Sequence, residues 1–266
     1  MLGLLKKTEA PKSLKTKIAG ESLFNDGVGV VVFIIILKIV TSGATPSVGY
    51  IFKLFCIEAL GGAFLGLILG VATYYLLKSI DNYLVEVLLT LALVSGGYSL
   101  ALAIHTSGPI AMVIAGLIIG NQGRSFAMSD VTREHIDSFW LLTDEILNSV
   151  LFVLIGLEAI LVTFAPQYLV AGAIITFVVL TIRLISVSIP LYIIGMIKMP
   201  FPKNTAKVLT WGGLRGGISV ALAMSLPEGE ARDLILVMTF IVVVVSVLIQ
   251  GLSFEKFMKR FPVVEK

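Results

Sequence analysis

Apolar residues fall in long runs along this chain, and polar residues collect between them. Runs near 18–41, 50–77, 83–104, 139–162, 168–196, 206–226 and 232–253 each match the roughly 17–25 residues a helix needs to cross a bilayer. A shorter apolar segment covers about 109–120. It opens with Gly108-Pro109, and proline suits a first helical turn because the amide it lacks would be unpaired there anyway. Ser42-Gly43, Asn121-Gln122-Gly123, Pro166, Pro200-Phe201-Pro202 and Pro227 separate the segments. The pattern predicts an all-α fold, a polytopic transmembrane helix bundle with about eight membrane segments.

Composition supports the same class. The chain is 57% hydrophobic and 14% charged, with a mean hydropathy of +1.01. Soluble domains carry about 25% charged residues. A soluble chain this apolar would have no polar surface to face water. The first 20 residues are lysine-rich and lack the apolar core of a cleavable signal peptide. The single cysteine, Cys56, lies in an apolar run, which excludes a disulfide framework.

The net charge of +3 comes from residues segregated by loop. That points to membrane topology, and no nucleic-acid partner is expected. Lys6, Lys7, Lys12, Lys15, Lys17, Lys78, Arg124, Arg133, Lys198, Lys203, Lys207, Lys256, Lys259, Arg260 and Lys266 all fall on one predicted face. The opposite face holds Lys38, Lys53 and Arg232 beside Glu228, Glu230 and Asp233. By the positive-inside rule both termini are cytoplasmic, in a multi-pass protein of the cell membrane surrounded by lipid.

Charges inside spans cost about 2.5–3.5 kcal/mol each on insertion scales, so each calls for a reason. The first span begins Gly20-Glu21-Ser22-Leu23-Phe24-Asn25-Asp26-Gly27. At about 100° per residue, Glu21 and Asn25 lie one turn apart, as do Ser22 and Asp26, and all four share an arc of about 140°. Counted from Lys17, Asp26 lies about 13 Å deep, near the midplane. Carboxylate, amide and hydroxyl oxygens are hard ligands, suited to Na+ or a proton. The plainer alternative makes Glu21 an interfacial residue and Asp26 a polar packing group.

Arg183 sits mid-span in Leu180-Thr181-Ile182-Arg183-Leu184. Its guanidinium cannot lose its proton and needs an anion, for which Glu21 is a candidate. The alternative is that it reaches a water-filled cleft. Gly212-Gly213-Leu214-Arg215-Gly216-Gly217 disfavours a continuous helix, at up to about 1 kcal/mol per glycine. Such a stretch can unwind and aim backbone dipoles at an ion, or it can serve close packing. Glu58, Glu86, Asp144, Glu145 and Glu158 also lie in or near spans, with no partner legible. His105 reads as a loop residue and His135 as solvated. No nucleotide loop, His-Glu metal motif or nucleophile elbow stands out, so neither a cofactor nor an enzyme activity is expected.

The segment Glu21-Ser22-Leu23-Phe24-Asn25-Asp26 resembles the signature helix of the NhaP-type sodium/proton exchangers. The resemblance continues through Ser107-Gly108-Pro109-Ile110-Ala111, Asn148-Ser149-Val150-Leu151-Phe152 and Gly212-Gly213-Leu214-Arg215-Gly216, in family order. It implies a secondary active transporter that exchanges Na+, or another monovalent cation, for H+. Asp26 would bind Na+ and protons in turn, with Asn25 supporting it and Ser22 supplying an oxygen to the ion. Glu21 and Arg183 would match the family's buried ion pair. Gly213, Arg215 and Gly216 would fall where the family breaks a helix near the midplane.

The resemblance also implies an inverted-repeat fold. Residues 1–17 would then be a cytoplasmic basic segment, 18–253 the exchanger domain and 254–266 a cytoplasmic tail. Within the domain, the first span would end the first repeat, 50–77 would be a linking helix, and 83–253 the second repeat. A broken helix with a Thr-Asp-Pro motif is expected upstream, so the chain reads as the C-terminal part of such a protein. It would work with those N-terminal helices or as a homodimer. The competing expectations are a non-transporting fragment or an accessory membrane subunit, and an intramembrane hydrolase using Ser22. The hydrolase lacks a base–nucleophile–oxyanion set.

Overall fold

Helix caps account for several of the boundaries in the computed structural model, which describes residues 12–42, 47–161, 166–197 and 201–262. Lys6, Lys7, Gly43, Lys198, Pro200 and Lys266 lie outside the described residues, as do the side chains of Lys12, Lys15, Lys17, Glu158 and Pro166. Helix α1 runs over Lys12–Ser42 and α2 over Val48–Ser79, where the Ser47 side chain accepts from the Tyr50 amide. Helix α3, Tyr83–Ala103, is capped by Asn82, whose side chain accepts from the amides of Leu84 and Val85. Helix α4, Gly108–Ile118, is capped by Ser107 and carries a proline in its first turn.

Three sequence expectations are corrected here. Asn121-Gln122-Gly123 does not break the chain: a π-helical turn, Ile119–Gly123, carries α4 into one last turn, Arg124–Phe126. Asn121 donates its amide to the Leu117 carbonyl of its own helix at 2.7 Å, so its polarity is satisfied locally. Helix α5, Asp130–Leu161, starts well before residue 139, because an amphipathic turn with an Arg133–Asp130 pair at 2.8 Å extends it.

Helix α6 covers Pro166–Ile197. The segment 206–226 is interrupted at its glycines, in line with the sequence reading: two short helices, α7 (Thr205–Trp211) and α8 (Gly217–Met224), flank the glycine-rich stretch. The last helix, α9 (Glu230–Val245), widens into a π-helical turn, Ser246–Gly251, and runs on as α10 (Leu252–Arg260), past residue 253. Residues 254–260 stay helical because Phe254 is buried against Val187, Val208 and Leu209, and Phe257 stacks on Trp211 at 5.0 Å.

Six of the described helices are long and apolar enough to cross a membrane: Gly20–Ser42, Val48–Ser79, Tyr83–Ala103, Asp130–Leu157, Tyr168–Met196 and Glu230–Arg260. The fold is an all-helical polytopic bundle, with no strand among the described residues.

The chain divides into two units, Leu23–Ser149 and Met1–Ser22 with Val150–Lys266. In the first, α2 packs on α4 along a glycine face. Gly66 is the tightest point: a Cβ there would lie 2.2 Å from the Ala111 carbonyl oxygen. Lipid gives two helices no hydrophobic reason to associate, so close backbone approach and van der Waals contact must hold them.

Polar pins supplement that contact. Glu58 is 4% exposed and pairs with Lys38 at 2.7 Å. Glu86, also buried, accepts from the Thr132 hydroxyl at 3.1 Å. The Trp140 indole donates to Thr90 at 3.0 Å. Past the end of α4, Arg124 grips both carboxylate oxygens of Asp137 at 2.7 and 2.8 Å, and these bonds raise its pKa above the ordinary value.

In the other unit α6 packs on α9, and α8 packs on α9 around Ile155, Val220 and Val243.

Candidate functional site

The centre of the second unit is a helix that cannot stay wound. Helix α7 ends at Trp211, the chain is non-helical through Gly216, and α8 starts at Gly217. Breaking a helix frees backbone donors and acceptors, and in a bilayer each must find a partner inside the protein. The partners here can be traced. The Leu209 carbonyl accepts from Arg183 Nη2 at 3.3 Å. The Trp211 carbonyl accepts from Gln250 Nε2 at 3.3 Å. The Arg215 amide donates to Ser246 Oγ at 2.8 Å.

Arg183 is the hinge of this arrangement. Its Nη2 lies 2.8 Å from Glu21 Oε1, with side chains 13% and 28% exposed. The guanidinium thus bridges a carboxylate on α1 and the last turn of α7, where carbonyl dipoles favour a cation. Its Nε is buried with no hydrogen-bond partner. Gly213 explains how the arginine fits: a Cβ at that position would lie 2.1 Å from Arg183 Nε. A narrow cavity borders Arg183, Gly213, Arg215, Ser246 and Gln250.

Gly213→Ala should therefore displace Arg183 and destabilise the protein by about 1–3 kcal/mol, the usual range for overpacking. Thermal unfolding in detergent measures it. The same substitution in an Arg183→Gln background should cost clearly less, because the shorter side chain leaves room. An equal cost in both backgrounds would show that the glycine is not there for Arg183.

Ser22, Asn25 and Asp26 lie on α1, which is helical without interruption through this stretch. Ser22 and Asp26 are one turn apart on one face, and Ser22, Asn25 and Asp26 are all exposed. Asn25 and Asp26 each take part in an interaction. Arg215 is exposed too and borders a second cavity beside Ser219 and Thr239.

A sequence profile described as "Sodium/hydrogen exchanger, transmembrane" matches residues 1–260. The chain belongs to that family. Among relatives, the "Na(+)/H(+) antiporter NhaP" of Pseudomonas aeruginosa is 52% identical over 263 residues, covering 98% of this chain and 62% of NhaP. The "Na(+)/H(+) antiporter NhaH" of Halobacillus dabanensis is 36% identical over 98% of this chain and 64% of its own length. The "Low-affinity Na(+)/H(+) antiporter NhaS1" of Synechocystis is 34% identical over 97% of this chain and 50% of its own length. The chain therefore spans between half and two thirds of the length of these curated relatives.

Two sets of polar partners carried little signal in sequence. Ser246 and Gln250 stand at helical i,i+4 spacing inside the apolar run Ile241–Leu252. That spacing marks a shared helix face but does not name the backbone groups they serve. Lys38, assigned only to a loop side by its charge, turns out to be the partner of Glu58. His105 takes a positive φ of 58° in an exposed turn, and exposed His135 stacks on Tyr83 at 4.1 Å. Asn148 donates to Asp144 at 3.0 Å.

Proposed function

We propose that this chain serves a monovalent cation/proton antiporter in which Asp26 binds a cation or a proton, never both. The observation that carries the reading is the composition of α1. One turn holds Glu21, paired to Arg183 at 2.8 Å, and the next presents Asn25 and Asp26 at its surface. A carboxylate on a spanning helix cannot face lipid without a cost of several kcal/mol, so that face belongs against protein or an aqueous cavity. Oxygen donors from Asp26, Ser22 and Asn25 suit a hard, weakly held ion such as Na+.

The mechanism follows from competition. Proton uptake neutralises Asp26 and removes the charge that holds the cation; cation arrival displaces the proton. If the loaded site opens to either side of the membrane in turn, one gradient drives the other. By the positive-inside rule, the basic loops support cytoplasmic termini. The names of the relatives, all Na+/H+ antiporters, support this substrate pair.

The test is proton flux in everted vesicles from cells lacking their own Na+/H+ antiporters. The protein is supplied as its own cells make it, because the chain covers 62% of NhaP. Adding Na+, Li+ or K+ to acid-loaded vesicles should release protons with saturation by at least one cation. No cation-dependent release, with the protein present and folded in the membrane, would overturn the reading.

A further inference from the structure

The broken helix is spanned by a short polar relay that belongs to another helix. From the end of α7, the Trp211 carbonyl accepts from Gln250 Nε2 at 3.3 Å. Gln250 Oε1 accepts from the Ser246 hydroxyl at 2.7 Å. Ser246 Oγ in turn accepts from the Arg215 amide at 2.8 Å, just before α8 begins. Two side chains thus join the last carbonyl of α7 to an amide within the glycine-rich break before α8.

Their setting is otherwise apolar. Ser246 is 2% and Gln250 4% exposed, within a run of valine, leucine and isoleucine. A buried amide and hydroxyl in that setting cost stability unless every polar atom is matched, and here the matching groups are those the break sets free. The backbone of the supporting helix is adapted at the same place. It widens into a π-helical turn over Ser246–Gly251, the segment that carries both residues. Such turns are rare in helices and recur at functional sites.

On the transport reading above, we propose that Ser246 and Gln250 are positioning residues: they fix the two ends of the helix break, and through the Arg215 amide they set where Arg215 stands during transport. Arg215 borders the same cavity as Arg183, Ser246 and Gln250, so a shift of the break moves a fixed positive charge relative to the Glu21–Arg183 pair. Ser246 acts by accepting from the Arg215 amide, and Gln250 by holding the Ser246 hydroxyl in the orientation that leaves its lone pair free. Neither needs to touch the ion.

Two measurements on the native protein test this. Hydrogen–deuterium exchange over residues 212–216 should quicken about tenfold in Ser246→Ala, the loss expected for one buried backbone bond, and return towards the native rate in Ser246→Thr. Cation-dependent flux, normalised to folded protein, should show an apparent KM raised about tenfold in Ser246→Ala and in Gln250→Met, again with rescue by threonine at 246. Unchanged exchange in Ser246→Ala would overturn the assignment. Faster exchange with an unchanged KM would also overturn it, reducing the relay to a structural cap. If Gln250→Met does not fold, the Ser246 pair carries the test alone. Absence of flux in the unsubstituted protein would count against the transport reading instead, and the exchange result would still judge the relay.

Discussion

Asp26→Asn is expected to abolish cation-dependent proton flux while leaving the protein folded and inserted. Asparagine keeps the size and one oxygen of aspartate but can neither carry a charge nor exchange a proton. At an effective dielectric of about 20, a unit charge about 4 Å away contributes about 4 kcal/mol, so cation affinity should fall roughly a thousandfold. Coupling should vanish with it. In the unsubstituted protein, competition makes the apparent KM for the cation rise about tenfold per unit of acidification once protons win the site, the slope of a single titrating group. The asparagine variant should lose that slope. Asp26→Glu should keep it, with an altered KM from the longer side chain. Vesicle flux across a pH series reads all three proteins. Undiminished flux in the asparagine variant would remove Asp26 from the mechanism.

The second large effect concerns the pair that joins α1 to α6. Glu21→Gln and Arg183→Gln should each destabilise the protein by about 3 kcal/mol, because each leaves a charge stranded in a largely desolvated place. The estimate sits at the low end of the usual range because Glu21 is 28% exposed. With both charges gone nothing is stranded, so the double variant should be more stable than the sum predicts, with a coupling on the order of 1–3 kcal/mol. Unfolding by SDS titration in mixed micelles gives all four free energies of the cycle. Additive losses would mean that the two groups at 2.8 Å do not depend on each other, and Arg183 would then owe its place to the Leu209 carbonyl and Gly213.

The two experiments separate roles that share one helix. Asp26 should govern flux and its pH dependence with little effect on folding. Glu21 should govern folding first, and flux only through the stability it lends.

The fold class was legible in the sequence because a bilayer imposes one rule on every residue. Long apolar runs can satisfy their backbone there only as helices, and composition and run length reveal them without any knowledge of contacts. Local chemistry was legible too: Gly108-Pro109 opens α4, and the glycines of 212–217 mark where α7 gives way to α8. A buried arginine on one span and a glutamate on another also constrain each other by charge alone.

Only the tertiary structure decided which groups answer one another across helices. Lys38 with Glu58, Thr132 with Glu86, and Ser246 and Gln250 with the backbone of the break are pairings between residues distant in sequence. The π-helical turns at 119–123 and 246–251 belong to the same category. Periodicity reports how a residue faces its own helix axis. Hydrogen bonds and close contacts between helices depend on rotation, depth and crossing, which packing sets and no single stretch of sequence contains.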